Sequence, residues 1–225
     1  MIAYRAETHM VPAVAGAQGA KPNARKALQK LFNADDFVVC FQYRRDAQQF
    51  MRDLNARMNR FALELHPEKT RLIEFGRFAL SNRCARGQRR PETFDFLGFT
   101  HYCRKTRKGD FGLGRKPISK RMNKTLNRIR SELLRRMHHD VYDVAKWLGR
   151  VIRGWLGYYA VPTSGRFIEA FVHRIKAVWL KILRRHSQRD RFCGFRLDRI
   201  VRKFWPPVTI LHPWPDQRYA VKHLR

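Results

Sequence analysis

Apolar positions along this chain follow two different periods, and the change between them divides it. From residue 28 to about 43 the apolar residues come in short runs broken at Asn33-Ala34-Asp35-Asp36. Leu31 and Phe32 precede the acids, and Phe37, Val38 and Val39 follow them, which predicts strand, tight turn and strand with both carboxylates at the tip. Val38, Cys40 and Gln42 fall on one face of the second strand, Val39 and Phe41 on the other. Between Arg44 and Leu63 the period becomes helical: Ala47, Phe50, Met51, Leu54, Met58 and Phe61 make one stripe. A short strand is expected over Arg71–Phe75, an exposed basic loop over 77–92, and a strand over Phe94–Tyr102 with a bulge or close backbone approach at Gly98. Lys105–Gly109 reads as a basic turn with Phe111–Gly114 as its return strand.

After Ser119 the pattern is helical almost to the end. Helices are predicted near 119–138 (Met122, Leu126, Ile129, Leu133 and Met137 inward), 141–159, 165–187 and 196–204. Pro206-Pro207 and the segment Leu211-His212-Pro213-Trp214-Pro215 cannot continue a helix, so the tail is expected to pack across the bundle. Residues 1–27 show no period and read as an irregular leader rich in Ala, Gly and Pro. The fold class is α+β: antiparallel strands with one helix over 28–114, then a mainly helical domain over 115–225.

Charge changes this picture most. The 225 residues hold 48 Lys and Arg against 18 Asp and Glu, a formal net of +30. Residues 1–110 carry 21 basic and 11 acidic groups, a net of +10; residues 111–225 carry 27 and 7, a net of +20. So large a surplus points to a polyanionic partner, nucleic acid above all, gripped chiefly by the second half. A membrane is not expected, because no apolar run approaches the ~20 residues of a spanning helix. Cys40, Cys84, Cys103 and Cys193 are scattered, and neither His138-His139 nor His101 with Cys103 has zinc-ligand spacing. Free thiols and a poor secretory signal at Val11–Ala20 point to the cytoplasm.

The order of these pieces resembles the C-terminal half of a group II intron-encoded reverse transcriptase/maturase, from about residue 33 onward. Asn33-Ala34-Asp35-Asp36 matches the Y-A-D-D box of the palm, and Leu65–Gly76 matches the palm motif after it. Phe94-Asp95-Phe96-Leu97-Gly98-Phe99-Thr100-His101 matches the primer-grip strand. Arg153-Gly154 with Gly157-Tyr158-Tyr159-Ala160-Val161-Pro162 resembles the maturase-specific thumb, or domain X, and Ile210–Pro215 the closing segment.

The resemblance implies templated nucleotidyl transfer by an RNA-directed DNA polymerase, with intron RNA or a template–primer duplex as partner. Asp35 and Asp36 would bind Mg²⁺, Lys69 would protonate the departing pyrophosphate, and Phe96, Leu97, Gly98 and Phe99 would position the primer. Lys120, Lys124, Arg128, Arg135, Arg136 and Arg153 would hold RNA phosphates. Two departures stand out: Asn33 replaces the family's aromatic residue, and Glu7 is the sole acid before Asn33, where the family has a further palm Asp. The chain therefore reads as a truncated member, RNA-binding and a candidate splicing factor. Polymerase chemistry would be absent from the isolated fragment or restored only by a second chain with the missing fingers and palm. An inactive relic is the remaining reading, and the side of the sheet that the absent palm and fingers would cover should expose unusual apolar surface.

Overall fold

The computed structural model describes residues 2–4, 27–33, 36–186, 193–214 and 217. The chain divides into two compact units, Met1–Leu97 with His101–Gly114, and Gly98–Thr100 with Arg115–Arg225.

In the first unit, strand β1 (Ile2–Tyr4) lies between β3 (Asp36–Phe41) and β4 (Leu72–Glu74), and β2 (Ala27–Asn33) sits outside β3. β2 and β3 form the expected hairpin, with Asn33 paired to Asp36. The sheet is nevertheless mixed rather than antiparallel: β1 runs parallel to both β3 and β4. The connection explains why β3 and β4 share a direction. Helix α1 (Arg44–Asn59) carries the chain from β3 back to start β4 in the same direction, and such a crossover yields parallel strands. β1 itself corrects the reading of 1–27 as wholly irregular; three residues are too few to show a period.

The alternation along β3 sorts its side chains as expected. Val39 and Phe41 pack with Ala47, Phe50, Met51 and Leu54 of α1, whereas Val38 and Ile73 pack with Phe96. Both faces of β3 are thus covered, and along it the expected bare apolar face is not found. Apolar exposure lies instead beyond α1, which ends four residues earlier than its stripe implied and leaves Phe61 65% exposed.

Two further expectations change. The basic loop over 77–92 contains a short helix, α2 (Ala79–Ala85), pinned where Asn82 Nδ2 donates to Glu74 at 2.6 Å and Arg86 pairs with the same carboxylate. The strand predicted over Phe94–Tyr102 is two strands, β5 (Phe94–Phe96) and β6 (Phe99–Lys105), which with β7 (Phe111–Pro117) form a sheet in the order β5-β6-β7. The break is a two-residue turn in which Leu97 and Gly98 both have positive φ, 49° and 78°. That is the geometry of a tight hairpin turn, unusual in having Leu at one position. The β6–β7 turn falls where the sequence places it, closed by Thr106 N–H donating to Asp110 O at 2.8 Å.

The second unit is a helical bundle of α3 (Ser119–Arg135), α4 (Val141–Tyr159), α5 (Gly165–His186) and α6 (Gly194–Phe204). Helix α4 begins at Asp140, whose side chain accepts from the backbone N–H groups of Tyr142 and Asp143 at 2.8 and 3.2 Å. Its inward residues Leu148, Ile152 and Trp155 meet Ile129 and Leu133 of α3, Phe171 and Ile175 of α5, and Leu197 of α6. Trp155 stacks on Phe171 with centroids 3.7 Å apart. Each such fully buried large apolar side chain contributes about 1.5–3 kcal/mol. The tail crosses the end of α4, where the Leu211 and His212 N–H groups donate to Ala160 O and the His212 ring meets Gly157 O at 2.8 Å.

Candidate nucleic-acid interface

Helix α3 builds the clearest basic surface. Residues four apart share a helix face, so at about 100° per residue Lys120, Lys124 and Arg128 spread over roughly 80° of the circumference. Ile129 and Leu133, almost wholly buried at 3% and 1% exposure, lie on the far side. The three cations stand out in solvent along about 12 Å of helix, and among the described residues none has an ion-pair partner. Packing of the apolar stripe therefore points the charges outward; they need not interact with one another for this to happen.

Arg135 and Arg136 differ from that stripe and from each other. Arg135 is 77% exposed and bonds Glu132 at 2.9 Å, an i,i+3 pair that costs solvent little to break. Arg136 is half-buried: its guanidinium lies 4.8 Å from the centroid of Trp147, and its Nε sits 3.8 Å from Glu132. Much of Arg136 is thus committed to the bundle. Arg153 is exposed on α4, on the same stripe as Lys146 and Arg150 at spacings of four and three residues. Lys146 is paired with Asp143 at 3.1 Å.

The Leu97–Gly98 turn behaves differently from an open grip. Phe96 and Phe99 are each only 8% exposed and Gly98 is buried, while Leu97 is 46% exposed. Phe99 stacks against Tyr158 at 5.5 Å and meets Tyr159 edge-on at 5.3 Å. A Cβ on Gly98 would lie 3.3 Å from the Tyr158 ring and 3.4 Å from the Tyr159 hydroxyl and the Arg121 guanidinium. The close approach that Gly98 permits is therefore made by these side chains, and Ile118 N–H donates to Gly98 O at 3.1 Å. Burial, helped by Tyr158, pushes the Tyr159 phenol up, against the opposing pull of Arg121.

The acid pair is seen in part. Asp36 opens β3 opposite Asn33, and Asp35 lies outside the described residues. Lys69 is exposed in the turn after His66, its N–H donating to His66 O at 3.2 Å. Among the described residues no three or more His, Cys, Asp or Glu side chains gather as a metal site.

Three features escaped the sequence reading. Arg121 is one, placed beside Gly98 because it sits one turn into α3. Lys146 and Arg150, which extend the expected Arg153 into a row, are another, visible in principle as a basic period on α4. The third is the exposed Phe195 at the start of α6, 72% accessible with the Arg199 guanidinium 5.5 Å from its centroid. An exposed aromatic beside a cation is a stacking surface for bases.

No described helix is long and apolar enough to cross a membrane. The comparison with curated proteins found no match. Comparison with protein families gives one: residues 120–205, which run from the second residue of α3 to the residue after α6, match the group II intron, maturase-specific domain. The helical unit of this chain thus belongs to that family and is the C-terminal maturase domain of a group II intron protein.

Proposed function

We propose that this protein is a maturase that binds group II intron RNA through the basic faces of its helical unit and assists the intron's folding for splicing. The observation that carries the reading is the coincidence of the maturase-domain match with the solvent-facing, unpaired row of Lys120, Lys124 and Arg128. A folded RNA presents phosphates on its outside, and neutralising them releases counterions, so such a row supplies affinity without base readout. Arg153 with Arg150 adds a second cationic row on α4, and Phe195 offers a place for an unpaired base to stack.

The first unit is proposed as a reverse-transcriptase palm. Its support is the β2–β3 hairpin in which Asn33 pairs with Asp36, the α1 crossover after it, and the β5–β6 turn at Leu97–Gly98. Asp35 and Asp36 supply the hard oxygen donors that Mg²⁺ prefers, and the ion would polarise phosphate oxygens there. Two adjacent carboxylates supply too few donors to enclose a pair of ions. The proposed role accordingly rests on RNA binding and on no metal-dependent step.

The test is splicing of a group II intron RNA at low Mg²⁺ with and without the full chain. Faster splicing with wild-type protein, lost in Lys120→Gln/Lys124→Gln/Arg128→Gln, is the expected result. Equal stimulation by that variant, or binding no tighter to the intron than to an unrelated duplex of equal length, would reject it.

A further inference from the structure

The outer face of α6 carries an aromatic ring that the bundle does not use. Leu197 and Ile200, 0% and 7% exposed, anchor the helix in the core. At about 100° per residue Phe195, Arg199 and Arg202 fall within roughly 60° of one another on the opposite side. Phe195 is the most accessible large apolar side chain among the described residues. One exposed apolar side chain needs no explanation by itself. The neighbours of this one make it informative.

Helix α6 holds four cations, Arg196, Arg199, Arg202 and Lys203, against one acid, Asp198. That acid pairs with Lys176 of α5, so it does not neutralise the outer face. Arg199 and Arg202 are exposed and have no ion-pair partner among the described residues. The Arg199 guanidinium lies over the Phe195 ring, 5.5 Å from its centroid. A ring has two faces; the guanidinium takes one, and the exposure of the residue leaves the other to solvent. A flat apolar surface and two uncancelled cations therefore stand together along about 10 Å of helix.

An acidic peptide would meet the cations and leave the ring unused. A lipid surface would require several apolar side chains where this face presents one. Duplex RNA hides its base faces in the stack, whereas an unpaired nucleotide offers a base face and a phosphate together. We infer that the outer face of α6 binds single-stranded RNA, with Phe195 stacking on a base and Arg199 and Arg202 holding adjacent phosphates. The inference rests on the reading of the helical unit as an RNA-binding maturase domain and gives its surfaces different tasks. Helix α3 has no aromatic residue, so its row holds phosphates whether the strand is paired or not. Helix α6 selects the unpaired segments of a folded intron.

The experiment is fluorescence anisotropy of the full chain with a short unstructured RNA and with a duplex of the same sequence, across a salt series. Phe195→Ala should weaken the single strand about tenfold and leave its salt slope unchanged, since it removes stacking and no charge. Duplex affinity should stay within about twofold. Phe195→Trp should restore binding and Phe195→Leu should not, which separates stacking from mere apolar contact. Arg199→Gln should weaken the single strand and lower its salt slope by about 0.7. Both side chains are exposed, so every variant should keep the wild-type circular dichroism spectrum. Equal loss for strand and duplex in Phe195→Ala, no loss for either, or rescue by leucine would overturn the inference. Loss of self-association in sedimentation, with strand affinity unchanged, would overturn it too, by assigning the ring to a second copy of the chain. These outcomes leave the maturase reading standing, since that is decided by splicing with the α3 variant; wild-type protein that binds neither RNA would sink both.

Discussion

Replacing Lys120, Lys124 and Arg128 together by glutamine tests whether the α3 row binds RNA by charge alone. Glutamine keeps nearly the same helix propensity, and all three side chains are exposed, so the bundle should retain its fold. If each cation neutralises one phosphate, the slope of log affinity against log salt should fall by roughly 2–3, at about 0.7–0.9 per contact. At ~0.1 M salt the same arithmetic gives a loss on the order of 10²-fold, shrinking toward nothing near ~1 M. Filter binding of intron RNA across a salt series measures both quantities.

The informative control is Arg136→Gln. It removes the same charge from the same helix but also the guanidinium over Trp147 and the contact with Glu132. That cation–π contact is worth about 0.5–2 kcal/mol, so thermal stability should drop while the salt slope changes by less than ~1. An unchanged slope in the triple variant would refute the reasoning. So would a slope loss in Arg136→Gln as large as that of the triple variant, since position on the helix would then not matter.

Glycines within α4 should divide by what surrounds them. A Cβ at Gly149 would lie 2.4 Å from Phe204 O, so Gly149→Ala should lower stability by about 1–3 kcal/mol in denaturant unfolding. Gly154 and Gly157 meet nothing within 4 Å, so alanine there should raise stability by about 0.5–1 kcal/mol each. Asp140→Ala should cost about 1 kcal/mol by uncapping α4, read by the same method. Burial pushes the Cys103 thiol above 9.0, outweighing the Gly76 N–H donated to its sulfur. Iodoacetamide at pH 8.5 should therefore modify Cys103 more slowly than exposed Cys84 and Cys193, as peptide mapping would show. Because the folded value is the higher one, the stability it contributes is complete below pH 9 and declines as pH rises through the folded value.

The helical unit was legible because its elements are long and each has one buried face. Val144, Leu148, Val151 and Trp155 recur at helical spacing, and α4 spans 141–159 as that spacing predicts. A repeat sustained over five turns survives one or two irregular positions. The basic row on α3 was legible for the same reason, being the complement of the apolar stripe. Arg136 shows where this logic stops: at the end of α3 the Trp147 ring lies within reach, and the cation there is drawn into packing.

The first unit was less legible because its decisive contacts are short in sequence and distant in space. β1 has three residues, and nothing within them indicates that two parallel neighbours, 37 and 70 residues away in register, will enclose them. Helix α2 has no apolar stripe of its own; it is held through Asn82 and Arg86 on Glu74. Leu97 illustrates the same point at one residue. A leucine avoids positive φ, so sequence reasoning puts irregularity at Gly98 alone. The turn forms because Ile118 holds Gly98 O, and Phe99 beyond it stacks on Tyr158 and Tyr159. A conformation costing about 1 kcal/mol at Leu97 is thus imposed by aromatic burial worth more than that, from residues some sixty positions downstream. Local preference predicts structure where an element contains most of its own stabilisation, and fails where the stabilisation is supplied from elsewhere in the chain.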